Sequence, residues 1–149
     1  MTLLFERPFT DDFVQELCTL AVDVFGKVDT EELAWRLASM PDASVHAVRS
    51  EGRLVAFKVG YAIERTRYLS WLGGVRNEHR RRGFARDLMK RQHDWAQRRG
   101  YEYVETSAIK SNRAMLTLNL SVGFEIIGTY ARTELPRVLM QKRLKPVGS

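Results

Sequence analysis

A strongly basic loop joins a strand-like segment to a helix-like segment near the middle of this chain, in the stretch NEHRRRGFARDLMKR at residues 77–91. The segment before it, Tyr68 to Val75, has the composition of a strand. The segment after it has apolar residues at helical spacing and stops at Gly100. The first amides of a helix have no acceptor within the helix and carry partial positive charge. A strand, a basic loop and a helix in this order therefore predict an anion site, with phosphate as its typical ligand.

Several residues in and before the loop suit such a site. Gly83 has no Cβ and lets a ligand approach the main chain, and Ala85 keeps a neighbouring position small. The adjacent Gly73 and Gly74 indicate a bulge or the close approach of a backbone or a ligand. Charge for one or two phosphates would come from four arginines: Arg80, Arg81, Arg82 and Arg86. A solvated charged turn has a similar pattern, so the loop alone leaves both interpretations open.

Charge and composition narrow the classes of partner. The net charge of +6 favours anionic partners without naming them. Nucleic-acid binding through Arg76 and the loop arginines is a competing interpretation, but the chain has no zinc-finger spacing, no RRM-type aromatic signature and no convincing helix-turn-helix. Three His and one Cys give no metal-ligand spacing, so no metal site is predicted.

The length and the remaining pattern predict one domain over residues 1–149. No apolar run is long enough to span a membrane and the N-terminal stretch does not read as a secretory signal, so we expect a cytoplasmic protein with no membrane partner. Thr10 and Asp29 are predicted to cap two helices, and a period of two begins near Val45. The predicted element order is β-αα-βββ-α-β-α-ββ, a mixed sheet covered by helices.

Two motifs in this order resemble those of the GNAT superfamily, the acetyl-CoA-dependent N-acetyltransferases. Residues 80–85, RRRGFA, match the Arg/Gln-x-x-Gly-x-Gly/Ala motif, within a stretch (LGGVRNEHRRRGFARDLMK) that is similar to motif A. Downstream, NRAMLTLNLSVGF resembles motif B, which ends in Gly-Phe. The resemblance implies an α/β (α+β) fold with a mixed, mostly antiparallel central sheet flanked by helices.

The resemblance also implies where acetyl-CoA would bind. Amides from Arg81 to Arg86 would hold the pyrophosphate, and the end of the central strand would pair with the pantetheine arm where neighbouring strands splay apart. Ser111 or Asn112 is predicted to cap the motif B helix, and Asn112 would lie beside the same arm, act as a plain N-cap, or do both. The predicted cofactor-binding residues are Gly73, Gly74, Val75, Arg80, Arg81, Arg82, Gly83, Phe84, Ala85, Arg86, Asn112 and Asn119.

The implied reaction is transfer of acetyl from acetyl-CoA to a primary amine of a small molecule, peptide or protein, by direct attack in a ternary complex. Glu105 is the candidate base, with a solvent-facing glutamate as the alternative interpretation and Glu64 as a weaker rival. Many relatives place a proton-donating Tyr where this chain has Asn119, and an amide can donate a hydrogen bond but cannot give up a proton to a thiolate. Tyr130 is the candidate replacement donor.

Asn119 keeps open a second hypothesis, a CoA-binding or regulatory module of the same fold without turnover. In this architecture the acceptor side is shaped by the two N-terminal helices and the last hairpin. For Trp35, core packing is favoured over a place in a groove. The resemblance leaves homodimerisation open, and the acceptor amine unspecified. The candidate acceptor-side residues are Trp35, Arg36, Tyr130, Arg132 and Glu134.

Overall fold

A computed structural model describes residues 1–131 and 135–145 of the chain. The N-terminal half contains β1 (Thr2–Glu6), α1 (Asp11–Phe25), α2 (Thr30–Ser39), β2 (Ser44–Ser50), β3 (Arg53–Ala62) and β4 (Arg67–Val75). The C-terminal half contains α3 (Phe84–Arg98), β5 (Tyr103–Ile109), α4 (Arg113–Ser121), β6 (Glu125–Ala131) and β7 (Pro136–Arg143). The predicted element order is therefore confirmed, with a short 3₁₀ turn at Asn77–His79 added before α3.

The strands form one seven-stranded sheet in the order β1-β2-β3-β4-β5-β7-β6. Every neighbouring pair is antiparallel except β4 and β5, which are parallel and are connected through α3. A parallel pair needs a crossover element, whereas antiparallel strands can follow one another through short turns. The predicted mixed, mostly antiparallel sheet flanked by helices is confirmed.

Helices cover both faces of the sheet because alternate strand residues are apolar on each side. On one face α1 and α2 bury residues such as Leu17 and Leu33 against Phe57 and Val59 of β3. On the other face α3 packs Trp95 against Tyr68 of β4, in a cluster that includes residues of β5 and β7. None of the helices in the described part of the chain has the length and hydropathy needed to span a bilayer.

Capping side chains begin three of the four helices in residues 1–131, where local sequence predicts them. The hydroxyl of Thr10 accepts from the amide of Phe13 at 3.1 Å, and the carboxylate of Asp29 accepts from Glu32 at 3.0 Å. Asn112 begins α4, as its Oδ1 accepts from the amide of Met115 at 3.2 Å. Such caps satisfy amides that the first helical turn leaves without an acceptor.

Candidate functional site

Strands β4 and β5 part soon after they begin. They pair only between Arg67–Leu69 and Tyr103–Glu105, and the hydroxyl of Thr106 makes a further link by donating to the carbonyl of Ser70 at 3.0 Å. From there to its end β4 pairs only with β3, while β5 pairs with β7. The edge of β4 that faces away from β3 is therefore left without a strand partner, and its main-chain groups are available to a ligand.

The N-terminus of α3 lies beside this open edge and differs from the other helix starts. Its N-cap is Gly83, which has no side chain to cap the helix and adopts a left-handed φ of 79°. The first helical hydrogen bond runs from the amide of Asp87 to the carbonyl of Gly83 at 3.0 Å, so the amides of residues 84–86 have no acceptor in the helix. A Cβ at Gly83 would meet no protein atom within 4 Å. Open amides with partial positive charge therefore face open space here.

A cavity of about 530 Å³, here called the first cavity, joins the end of β4 to the starts of α3 and α4. A Cβ at Gly74 would lie 2.6 Å from Cγ1 of Val24, so the close neighbour of this glycine within the fold is a side chain of α1. Arg80 connects the basic loop to the end of β4, because its Nε donates a hydrogen bond to the carbonyl of Val75 at 3.2 Å. The predicted residues that line this cavity are Gly73, Gly74, Val75, Arg80, Arg81, Gly83, Phe84, Ala85, Arg86 and Asn112.

Arg82 and Asn119 are the two predicted cofactor residues that do not line the first cavity. Arg82 is exposed on the loop. Asn119 is 2% exposed, and its Nδ2 points to the sulfur of Met140 at 3.6 Å. The Asn119 side chain thus faces the core beneath α4, and the fold does not bring it to the other predicted residues.

A cavity of about 620 Å³, the second cavity, lies among α2, the central strands and the last hairpin. Residues Leu69 to Leu72 of β4 line it, and the next residues of the same strand line the first cavity, so the two adjoin along β4. Five of its other lining side chains are aromatic or basic, and four are not. The aromatic or basic ones are Trp35, Arg36, Tyr61, Tyr130 and Arg137, and the others are Glu32, Met40, Ser107 and Leu139.

The walls of the second cavity revise one expectation. Trp35 is 57% exposed and lines the cavity, so the expectation of core packing is wrong: its position on α2 faces outward from the apolar stripe formed by Leu33 and Leu37. Arg36 lies 4.2 Å from the ring centroid of Trp71 and is fixed by a hydrogen bond to Glu32 at 2.8 Å. The acceptor-side residues Arg132 and Glu134 lie outside the described residues.

The candidate base Glu105 lies on β5 and is 4% exposed, so the alternative of a solvent-facing glutamate is wrong. Its Oε2 accepts from Nη1 of Arg67 at 2.6 Å and from Nε2 of Gln141 at 2.9 Å. Glu105 lies two residues before Ser107, which lines the second cavity, but does not itself line either cavity. The rival Glu64 also pairs with Arg67, and this hydrogen bond lowers the pKa of the Glu64 carboxyl. Arg67 therefore links both carboxylates.

The sequence reasoning missed Lys58, which lines the first cavity from β3. Burial lowers the pKa of its amine from 10.5 to about 8. Burial, followed by the charges of Lys142 and Lys58, also lowers the pKa of His93 on α3 to about 2. The signal was present, since Lys58 interrupts the apolar run LVAFKVGYA on the strand face opposite Phe57 and Val59.

The first cavity thus brings together an uncapped helix N-terminus and the free edge of a strand that has parted from its parallel neighbour. The sequence matches the model of the acetyltransferase (GNAT) family over residues 14–124, and the chain belongs to that family. No curated protein matches the sequence significantly.

Solved structures share the fold over nearly the whole chain at low sequence identity. The ribosomal-protein-S18-alanine N-acetyltransferase of Escherichia coli is 15% identical with a TM-score of 0.84, covering 100% of this chain and 97% of that chain. Ard1 of Thermoplasma volcanium is 17% identical with a TM-score of 0.80, covering 97% and 98%. A GNAT family acetyltransferase of Elizabethkingia anophelis with acetyl-CoA bound is 12% identical with a TM-score of 0.76, covering 97% of each chain.

Proposed function

We propose that this protein transfers the acetyl group of acetyl-CoA to a primary amine, with both substrates bound and the amine attacking the thioester directly. The observation that carries the proposal is the pair of cavities that adjoin along β4: one contains the uncapped start of α3, and the other is lined by aromatic and basic side chains. Acetyl-CoA supplies an acetyl group activated as a thioester. The residues of the chain would bind and orient acetyl-CoA, accept a proton from the amine and donate a proton to the leaving thiolate.

The first cavity fits the carrier by its chemistry. The amides from Arg81 to Arg86 and the nearby guanidinium groups would bind the pyrophosphate, since the helix start offers donors without internal acceptors. The open edge of β4 at Gly73–Val75 would hydrogen-bond the pantetheine amides as an added strand does. Asn112, whose Oδ1 caps α4, keeps its Nδ2 for a ligand in the same cavity.

The acceptor amine would enter through the second cavity and must lose a proton before it attacks. Amides at the end of β4 would donate to the carbonyl oxygen as it gains charge. Glu105 does not line the second cavity, so it would accept the amine proton through a chain of waters that enters beside Ser107. Its Oε1 would be the accepting atom, because Oε2 already accepts hydrogen bonds from Arg67 and Gln141. Tyr130, 39% exposed on the wall of the second cavity, would donate a proton to the leaving thiolate.

One observation favours a second candidate function, a CoA-binding module without turnover. The α4 position that carries a proton donor in many relatives is Asn119 here, and its side chain is buried against Met140. The nucleic-acid interpretation has no comparable support. Several loop-side arginines make contacts within the fold: Arg76 pairs with Asp23 at 2.5 Å, and Arg86 donates to Ser121 at 3.1 Å.

Two measurements separate these functions. Calorimetry with acetyl-CoA tests binding at the first cavity. A thiol-release screen with amines, amino acids and peptides then tests transfer, and amine-dependent release of free thiol is the expected result. Heat of binding without thiol release for any acceptor favours the binding module. Absence of heat contradicts both, and a salt-sensitive gel shift that survives saturating CoA would restore the nucleic-acid interpretation.

A further inference from the structure

Lys58 occupies an unusual position for a lysine, in the centre of a strand and at the wall of the first cavity. Its register partner on β4 is Gly73, one of the residues proposed to pair with the pantetheine arm. A Cβ at Gly73 would lie 2.9 Å from Cδ of Lys58, so the lysine stem occupies the space that this glycine leaves free. The Lys58 side chain therefore runs alongside the end of β4 where that strand borders the cavity.

No carboxylate within the described part of the chain pairs with Lys58. Across residues 1–131 and 135–145 its ammonium takes part in no salt bridge or hydrogen bond. Its titratable neighbours within the fold are themselves basic: His46 is its register neighbour on β2, and His93 on α3 has its pKa lowered by burial and by the charges of Lys142 and Lys58. On the cavity side the charged or titratable lining residues are also basic: His79, Arg80, Arg81 and Arg86.

This setting favours the neutral amine of Lys58 over the charged ammonium. Lys58 is half-buried, and an ammonium withdrawn from water without an anionic partner is destabilised relative to the neutral amine. This desolvation lowers the pKa of Lys58 to about 8. A substantial fraction of the amine is then neutral at mildly basic pH. Neutral lysine amines in apolar surroundings are the form that attacks carbonyl carbon.

We propose that the Nζ of Lys58 is an acetylation site, modified by acetyl-CoA bound in the first cavity of the same molecule. The inference rests on the proposed binding of acetyl-CoA there. The neutral amine nitrogen forms a bond to the thioester carbonyl carbon, and the carbon–sulfur bond breaks. The thiolate of CoA leaves and takes up the proton that the nitrogen loses, so that an amide and free CoA result. No further reactant is needed.

The modification changes the cavity in two ways. The amide carries no charge, and the acetyl group adds volume to a side chain that lines the first cavity. An acetylated molecule should therefore bind a second acetyl-CoA more weakly than the unmodified protein. Lys58→Gln, which imitates the neutral amide, is expected to lower acetyl-CoA affinity by about tenfold in calorimetry, about 1.4 kcal/mol.

The test is incubation of the purified full chain with acetyl-CoA and no acceptor, followed by intact mass and peptide mapping. We expect one acetyl group, on Lys58, with a rate that saturates at the acetyl-CoA concentration that saturates calorimetric binding and falls when free CoA competes. Lys58→Arg should abolish the modification, and the exposed control Lys90→Arg should keep it. Lys142 is an internal control: burial lowers its pKa too, but it bonds to Nδ1 of His93 at 3.0 Å, does not line the cavity and should stay unmodified.

The outcomes separate this inference from the proposed function. Calorimetric binding of acetyl-CoA without acetyl on Lys58 overturns the inference and leaves the proposed function standing. Equal labelling of Lys58 and exposed lysines such as Lys27 and Lys90, without saturation, also overturns it. Absence of binding overturns both. Peptide mapping of the unaltered chain decides the question even if Lys58→Arg does not fold.

Discussion

Gly83→Ala tests whether the main chain at the start of α3 contacts a ligand, and Gly52→Ala is its matched control. Both glycines have nearly the same backbone conformation, with φ of +79° at Gly83 and +81° at Gly52. A Cβ at either position would meet no protein atom within 4 Å. The two differ in location, because Gly83 lines the first cavity, whereas Gly52 lies in the turn between β2 and β3.

Both substitutions should lower the free energy of unfolding by a similar amount, about 1 kcal/mol. A left-handed conformation costs an L-residue roughly 1–2 kcal/mol, and alanine offsets about 0.4–1 kcal/mol of this by restricting the unfolded chain. Urea unfolding should therefore show equal shifts in midpoint with an unchanged slope. The open space around Gly83 predicts no packing role for this glycine. A larger loss of unfolding free energy in Gly83→Ala than in Gly52→Ala would contradict that prediction.

Binding should separate the two variants. A methyl group at Gly83 projects where the pyrophosphate would approach the amides, so acetyl-CoA affinity should fall at least about tenfold, or about 1.4 kcal/mol. Gly52→Ala should bind like the parent protein in the same calorimetric titration. If Gly83→Ala also binds like the parent, the ligand does not contact this backbone and the proposed site is wrong.

Three further predictions concern the core and the second cavity. Burial is the main reason that the pKa falls to about 4 for His46 and about 2 for His93. The unfolded chain therefore binds these protons more readily, and the free energy of unfolding decreases as the pH falls below 6.5, the pKa of an unfolded histidine. Urea unfolding at about pH 5 should show a loss of about 2 kcal/mol per histidine, and an unchanged free energy would contradict their burial. Arg67→Met should cost about 2 kcal/mol because Glu105 stays buried without its cation, and adding Glu105→Gln should recover part of it. Tyr130→Phe should lower kcat about 100-fold without weakening acetyl-CoA binding if Tyr130 is the proton donor, and equal kcat values would remove it from the mechanism.

Local patterns in the sequence predicted the order of the elements and the open helix start that borders the first cavity. Thr10, Asp29 and Asn112 cap the predicted helices, since a cap depends on residues three positions apart. The basic loop and Gly83 also predicted an open helix start, because the strand, loop and helix that form it are contiguous in the chain. The ordered motifs around them indicated the family that the match over residues 14–124 shows.

Long-range packing decided the rest. The parting of β4 from β5 and the insertion of β7 between β5 and β6 depend on pairings between distant segments. The same packing turned Asn119 towards Met140, placed Trp35 in a cavity wall and paired Glu105 with Arg67. Helical or strand period fixes which residues share a face, but not which surface that face meets. The sequence alone therefore determined the elements and the open start of α3, whereas only the tertiary structure decided which side chains line the two cavities.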